Sequence, residues 1–127
     1  MRIGVLALQG AFVEHIGVLE RLGADAFPVR LPAELDRVDG LIIPGGESTS
    51  ILNLMQGFVL VPPLKELAQA GLPIWGTCAG TICLAKKVVD TANSDVETLA
   101  AMDIEVRRNA FGRQVDSIET ELAIPVL

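Results

Sequence analysis

The sequence of 127 residues predicts an α/β fold built on an open, doubly wound, mostly parallel sheet. Short runs of consecutive apolar residues, without polar alternation, are typical of strands that are covered by helices on both faces. These runs alternate along the chain with helical patterns, and this alternation predicts parallel strands joined by right-handed crossovers. Ligands of such sheets bind at the carboxyl ends of the strands, so the turns that follow the strands form the candidate site.

The first three strands and the first helix have clear patterns. Residues 2–8 form a continuous apolar run and predict the first strand. A helix follows, because apolar residues recur at helical spacing before the C-cap Gly23; they are Phe12, Ile16, Leu19 and Leu22. Residues 26–31 predict the second strand, residues 32–39 a polar connection, and residues 40–43 the third strand.

A proline and two glycines, Pro44-Gly45-Gly46, break the chain sharply after the third strand. Ser48 or Thr49 is then expected to cap a helix that runs through Leu54. A weaker helical pattern covers residues 63–70 and ends at a glycine before the fourth strand. The glycine turn is therefore predicted at the carboxyl edge of the sheet.

The fourth strand, residues 72–75, leads into a predicted helix from residue 79 to about residue 88. Residues 90–103 are polar and predict no clear element. Residues 104–106 and 115–121 alternate apolar and polar side chains, which is typical of half-exposed strands. The chain then stops in a strand-like stretch without a closing helix.

Composition restricts the class of protein. Hydrophobic residues make up 50% of the chain, enough for one core, so we expect residues 1–127 to form a single domain that is incomplete at its C-terminus. The net charge of -6 argues against nucleic acid or an anionic membrane as a partner. No apolar run approaches the roughly 20 residues of a membrane helix and no signal peptide is evident, so a cytoplasmic location is expected. Cys78 and Cys83 fit neither a redox pair nor a zinc site, and no metal or cofactor is expected.

Gly76-Thr77-Cys78-Ala79-Gly80 lies between the fourth strand and the next helix, and it has the Gly-x-Cys-x-Gly pattern of a nucleophile elbow. The turn is expected to strain the backbone at Cys78, while the glycines remove Cβ atoms that would collide. The thiol would point outward at a helix N-terminus, which favours the attacking thiolate. The Ala79 N–H is a natural oxyanion donor. The alternative is a buried structural cysteine, which is what we expect for Cys83.

The glycine turn is predicted to lie near Cys78, because both follow strands at the same edge of the sheet. Successive glycines allow backbone N–H groups to converge on an anion or an oxyanion. Glu47 or Ser48 could orient a polar substrate there. The alternative is a plain tight turn with a capping serine.

Pro44-Gly-Gly-Glu-Ser-Thr49 and Gly76-Thr-Cys-Ala-Gly80 together resemble the class I glutamine amidotransferases, which use a Cys-His-Glu triad. Two further blocks resemble the glutaminase subunits of pyridoxal 5'-phosphate synthase in particular: Arg108-Asn-Ala-Phe-Gly-Arg-Gln114, and Leu8-Gln-Gly-Ala11 with Glu14-His15. The resemblance implies a flavodoxin-like fold. It also implies hydrolysis of L-glutamine to glutamate and ammonia, with the ammonia passed to a synthase subunit.

The resemblance also implies roles for individual residues. Cys78 would be the nucleophile, with the backbone N–H groups of Gly46 and Ala79 as oxyanion donors. Glutamine would be held by residues of the glycine turn and of the arginine block, namely Gly46, Glu47, Ser48 and Arg108. Gln9 and Gly10 would lie where the glutaminase meets the synthase subunit.

The His-x-Glu pair that completes the triad in this family has no counterpart in the sequence, whose single histidine is His15. We expect His15 to pack or cap locally within the first helix rather than to act as the base, so the chain alone is expected to be inactive. Three alternatives stay open. They are another class I glutaminase, such as that of imidazole glycerol phosphate synthase; another cysteine-elbow hydrolase; and a non-catalytic binding module that uses Gly46 and Cys78 structurally. Arg113 has no assigned role.

Overall fold

The computed structural model describes residues 1–89 and 97–110. Its centre is a four-stranded sheet in the order β2-β1-β3-β4, in which all neighbouring strands are parallel. The strands are β1 (Arg2–Leu6), β2 (Asp25–Val29), β3 (Gly40–Ile43) and β4 (Ile74–Gly76). The predicted α/β class with a mostly parallel sheet is confirmed.

The helices join these strands in the predicted succession. They are α1 (Phe12–Arg21), α2 (Ser48–Gly57), α3 (Val61–Gln69) and α4 (Ala79–Leu84), and the polar connection before β3 contains a short 3₁₀ helix (Pro32–Arg37). Because every crossover brings the chain back to the same end of the sheet, the turns after β1, β3 and β4 lie together.

Both faces of the sheet are covered, which explains why its strands lack polar alternation. On one face Ile3, Val5 and Ile42 pack against the apolar side of α1. On the other face a larger core lies against α2, α3 and α4, and Leu6 and Ile43 reach it from the strands. The sheet is therefore a buried platform on which the turns at its carboxyl edge are held.

The chain departs from the prediction after α4. The predicted helix to about residue 88 is wrong, because α4 ends at Leu84 and the chain continues as β5 (Ala85–Val89). Strand β5 pairs in parallel with β6 (Met102–Arg107) in a separate two-stranded sheet. Exposed ion pairs cross this sheet, Lys86 with Asp103 and Lys87 with Glu105, both at 2.9 Å.

The prediction of a strand at residues 104–106 is confirmed as part of β6, whose alternating burial fits a half-exposed strand. The strand predicted at residues 115–121 lies outside the described residues. Among the described residues, no helix combines the length and the apolar character that crossing a bilayer requires.

Helix α2 extends to Gly57, beyond the predicted end at Leu54. It ends in a paired hydrogen-bond motif, in which Val59 N donates to Gln56 O at 3.0 Å and Leu60 N donates to Met55 O at 2.8 Å. This motif places its penultimate residue in the left-handed region, where glycine is usual. Here that residue is Val59, with φ 57°.

Candidate active site

Cys78 lies at the turn between β4 and α4, with φ 51° and ψ -111°. This conformation is sparsely populated by residues with a side chain and persists only where the surroundings enforce it. The Cys78 residue is exposed. The backbone strain predicted from the Gly-x-Cys-x-Gly pattern is therefore present, and the residue that carries it is accessible to solvent.

The flanking glycines are sterically required at this turn. A Cβ atom on Gly76 would lie 2.6 Å from the backbone nitrogen of Thr81, and a Cβ on Gly80 would overlap the carbonyl oxygen of Ile43. The same Ile43 oxygen accepts a hydrogen bond from Thr77 N at 3.0 Å. The elbow is therefore packed directly onto the last residue of β3.

The glycine turn after β3 lies beside the nucleophile candidate. The position of a Cβ atom on Gly45 is 3.4 Å from Cys78 Cβ and 3.6 Å from the carbonyl oxygen of Thr77. The backbone N–H of Ala79 is the first of α4 and has no acceptor within the helix. Among residues 1–89 and 97–110, neither the N–H of Ala79 nor that of Gly46 donates to a backbone carbonyl. The structure thus places the glycine turn directly beside the elbow, as predicted from their positions after neighbouring strands.

The loop after β1 also forms hydrogen bonds with the glycine turn. Gln9 Oε1 accepts a hydrogen bond from Glu47 N at 2.9 Å, and Ala11 N donates to Gly45 O at 3.1 Å. Gly10 has φ 96°, and any side chain on it would overlap the Gly45 carbonyl. Gln9, which was predicted to lie near a partner subunit, thus contacts the glycine turn through its amide oxygen.

Glu47 caps α2, whereas Ser48 or Thr49 was predicted to do so. Its carboxylate accepts hydrogen bonds from Thr49 N at 3.0 Å, from Ser50 N at 2.7 Å and from Ser50 Oγ at 2.8 Å. Burial by itself would raise the pKa of Glu47, but these hydrogen bonds outweigh it and lower the pKa to about 2. Ser48 is the first residue of α2 and is buried, with 4% of its surface exposed.

Arg108, which follows β6, reaches the same turn. Its Nη2 lies 3.1 Å from Glu47 Oε1 and its Nη1 donates to Thr49 Oγ1 at 2.9 Å. Two of the four residues predicted to hold a substrate, Glu47 and Arg108, therefore bind each other. This contact ties the small β5–β6 sheet to the glycine turn of the main sheet.

His15 does not make the local contact expected of it. Its Nε2 lies 3.2 Å from Thr77 Oγ1, and its ring meets that of Trp75 edge to face, with centroids 6.0 Å apart. The only histidine of the chain is thus bound to the residue immediately before Cys78. Its hydrogen-bond partner is the hydroxyl of Thr77.

The two cysteines differ as the sequence predicts. Cys83 is completely buried in the core, and burial raises the pKa of its thiol to about 12. It is therefore protonated and inaccessible in the folded chain. Cys78 is the accessible thiol of the pair.

Two apolar clefts of about 440 Å³ each lie along α1 and β4, and Trp75 lines both. Neither is lined by Cys78 or by the glycine turn, so the clefts are separate from the candidate site. Within the part of the chain that the structure describes, no group of three or more His, Cys, Asp or Glu side chains could hold a metal ion.

The sequence pattern of the SNO glutamine amidotransferase family matches residues 5–127. The chain belongs to the SNO glutamine amidotransferase family. The resemblance drawn from the four sequence blocks is thereby confirmed. A solved structure described as a glutamine amidotransferase superposes with a TM-score of 0.83 at 43% identity, over 93% of this chain and 62% of that one.

Two relatives of this family member are named pyridoxal 5'-phosphate synthase subunit PdxT. The protein of Dehalococcoides mccartyi is 60% identical over 127 residues, which are 100% of this chain and 65% of that protein. The protein of Herpetosiphon aurantiacus is 55% identical over the same length and is 67% covered. The chain therefore spans about two thirds of the length of these relatives.

Three contacts of the candidate site were not predicted from the sequence patterns. They are the bond from Glu47 N to Gln9, the Glu47–Arg108 pair and the His15–Thr77 bond. All three join residues far apart in sequence, which periodicity does not detect. One signal was available for His15, since it lies one helical turn after Ala11 and therefore near the same edge of the sheet.

Proposed function

We propose that the chain carries the nucleophile half of a glutaminase site that hydrolyses L-glutamine and supplies ammonia to the synthase subunit of pyridoxal 5'-phosphate synthase. The observation that carries this proposal is the exposed Cys78, held at φ 51° beside Gly45 at the carboxyl edge of a parallel sheet. Membership of the glutamine amidotransferase family and relatives named as subunits of that synthase support the substrate and the partner.

The chemistry proceeds through a covalent intermediate. The Cys78 thiolate attacks the side-chain amide carbon of glutamine, and the N–H groups of Gly46 and Ala79 stabilise the oxyanion that forms. The C–N bond then breaks, and the amide nitrogen takes up a proton and leaves as ammonia. Water attacks the resulting γ-glutamyl thioester, which releases glutamate and restores the thiol.

The α-carboxylate of glutamine is assigned to Arg108, whose guanidinium can form charge-assisted hydrogen bonds with it. Gly46, Glu47 and Ser48 are assigned to the same substrate, because they belong to the turn that Arg108 contacts. Because the Glu47 carboxylate is engaged in capping α2, the backbone of this residue is the part proposed to face the substrate.

A group that acts first as an acid and then as a base is required, because the leaving nitrogen takes up a proton and the attacking water gives one up. The chain has one histidine, and its Nε2 is bonded to Thr77. We therefore propose that these 127 residues, as a single incomplete domain, do not turn over by themselves. The proposed setting is the cytoplasm, with Gln9 and Gly10 close to the synthase subunit.

Affinity labelling of the full chain tests the proposed site. 6-Diazo-5-oxo-L-norleucine, an electrophilic analogue of glutamine, is expected to label Cys78 and not Cys83, as located by peptide mass spectrometry. L-Glutamine should protect Cys78, whereas D-glutamine should not. Equal labelling of the two cysteines, or labelling of Cys78 that L-glutamine does not slow, would favour the non-catalytic binding module instead.

A matched pair of arginine variants tests the carboxylate contact. Arg108→Met should raise the concentration of L-glutamine needed for protection by roughly tenfold or more, because a charge-assisted contact is lost. The neighbouring Arg107→Met removes an exposed arginine of β6 and should leave protection unchanged. Equal effects of the two changes would exclude Arg108 as the specific contact.

If the chain were instead another class I glutaminase, its Cys78 would be labelled in the same way, but its partner subunit would differ. The chain is expected to bind the synthase subunit of pyridoxal 5'-phosphate synthase in preference to the cyclase of imidazole glycerol phosphate synthase. Analytical ultracentrifugation of the chain with each subunit separates the two possibilities. Preference for the cyclase would overturn the proposed partner.

A further inference from the structure

We propose that His15 is a positioning residue for the Cys78 nucleophile, acting through the side-chain hydroxyl of Thr77. The biological meaning of this inference rests on the function proposed above, but its test does not require glutamine to bind. The observation that carries it is the contact of 3.2 Å between His15 Nε2 and Thr77 Oγ1 across 62 residues of sequence.

The elbow needs such a constraint because Cys78 is strained. Its backbone is held on both sides by main-chain hydrogen bonds, from Thr77 N to Ile43 O at 3.0 Å and from Gly80 N to Thr77 O at 2.9 Å. These bonds fix the peptide groups of Thr77 but leave its side chain to be fixed by a neighbour. His15 is that neighbour, and its bond to Thr77 is partly buried, where hydrogen bonds are stronger than in water.

His15 is itself held in place before it meets Thr77. It belongs to the first turn of α1, and its ring packs edge to face on Trp75 with an interplanar angle of 82°. Trp75 precedes the elbow on β4, so the imidazole contacts both the strand that enters the elbow and the first turning residue. A ring fixed in this way can hold the hydroxyl of Thr77 at little further cost in side-chain entropy.

The same short segment of the chain holds the other half of the site. Gln9 and Ala11 form hydrogen bonds with the glycine turn, at Glu47 and Gly45 respectively. His15 lies one helical turn after Ala11 and forms its hydrogen bond with the elbow. Residues 9–15 therefore bridge the two loops that the proposed mechanism requires. Displacement of this segment would move the oxyanion donors and the sulfur together.

Thiol alkylation by iodoacetamide, which is small and does not resemble glutamine, tests the inference on the folded 127-residue chain. Thr77→Val and His15→Phe keep the approximate shape of each side chain but remove the hydrogen bond. Without the hydrogen bond, Cys78 should spend less time in the conformation that exposes its sulfur. Each variant should therefore slow the alkylation of Cys78 about fivefold, the equilibrium factor that corresponds to one ordinary hydrogen bond. The double variant should be no slower than either single variant, since both remove one interaction.

Conservative variants separate positioning from general stability. Thr77→Ser and His15→Gln keep a hydrogen-bonding group and should restore most of the alkylation rate. Thr98→Val is the matched control, because it also removes a partly buried hydroxyl, which donates to Ala85 O, outside the elbow residues 76–80. It should lower the thermal midpoint without changing the alkylation of Cys78.

Unchanged or faster alkylation in Thr77→Val and His15→Phe, measured well below their thermal midpoints, would overturn the inference and leave His15 as an anchor of α1 alone. Additive effects in the double variant would do the same. If the predicted slowing occurs while L-glutamine fails to protect Cys78, the proposed function fails and the positioning role stands. The two conclusions are therefore tested independently.

Discussion

Cys78 and Val59 are both non-glycine residues with positive φ, at 51° and 57°, but their surroundings differ. Cys78 is enclosed by a turn in which neighbouring glycines touch backbone atoms and Thr77 is bonded to Ile43. Val59 is 62% exposed and ends α2 with two ordinary capping bonds. A positive φ is thus enforced by close packing at the candidate site and is accommodated by helix-capping hydrogen bonds at a surface turn.

The largest effect is expected from breaking the enclosure around Cys78. Gly80→Ala places a methyl group against the Ile43 carbonyl and should lower the free energy of unfolding by about 3 kcal/mol, at the upper end for overpacking. Denaturant unfolding measures the loss. Gly57→Ala is the control, because a Cβ there meets nothing within 4 Å, and it should be neutral or slightly stabilising. A similar loss in both variants would contradict the steric argument.

Relief of the strain at the elbow is the next largest effect. Cys78→Gly should raise the free energy of unfolding by about 1–2 kcal/mol relative to Cys78→Ala, since only glycine adopts this conformation without cost. Both variants lack the sulfur, so their difference isolates the backbone. If the two have equal stability, the conformation at residue 78 stores no strain.

The corresponding change at the surface turn should be smaller. Val59→Gly removes the cost of a left-handed conformation at a β-branched residue but raises the conformational entropy of the unfolded chain. The free energy of unfolding should therefore rise by about 1 kcal/mol. Thermal unfolding measures the gain, and iodoacetamide alkylation of Cys78 should not change. Altered alkylation would show that the two turns are coupled.

The smallest effect concerns the acidic cap of α2. The pKa of Glu47 is lowered from 4.5 to about 2, so its ionised form stabilises the fold above about pH 4.5 and this contribution disappears as the pH falls towards 2. Glu47→Gln should therefore cost about 0.5 kcal/mol at pH 7, modest because the carboxylate is half exposed. The difference from the parent chain should shrink steadily as the pH falls from 4.5 to 2. A difference that stays constant over this range would rule out the carboxylate charge as its origin.

The sequence predicted those features that depend on neighbours along the chain. Continuous apolar runs identified the parallel sheet, and the Gly-x-Cys-x-Gly pattern identified the turn at Cys78. The end of α4 at Leu84 was missed because Ala85 and the lysines after it favour helix locally, whereas pairing with β6 requires residues far along the chain. Glu47 was missed as a cap because serine and threonine are the stronger caps by intrinsic preference, although its longer side chain reaches the same N–H groups.

Interactions of the candidate site were harder to predict than its residues. Cys78, Gly46 and Arg108 were named from motifs, but the motifs contain no information about which side chains bind one another. The bonds that join Gln9 to Glu47 and His15 to Thr77 arise only when three strands are aligned. Their geometry is a property of the assembled sheet and of no single segment.

The carbonyl oxygen of Ile43 connects to both loops of the candidate site, the elbow at Cys78 and the glycine turn. One hydrogen bond leads from it to Thr77 and so to the sulfur, and a short covalent path leads through Pro44 to the glycine turn. The elbow and the glycine turn therefore share an anchor at the end of β3, beside the contacts that residues 9–15 make with both. A displacement of Ile43 would consequently reach both loops of the candidate site.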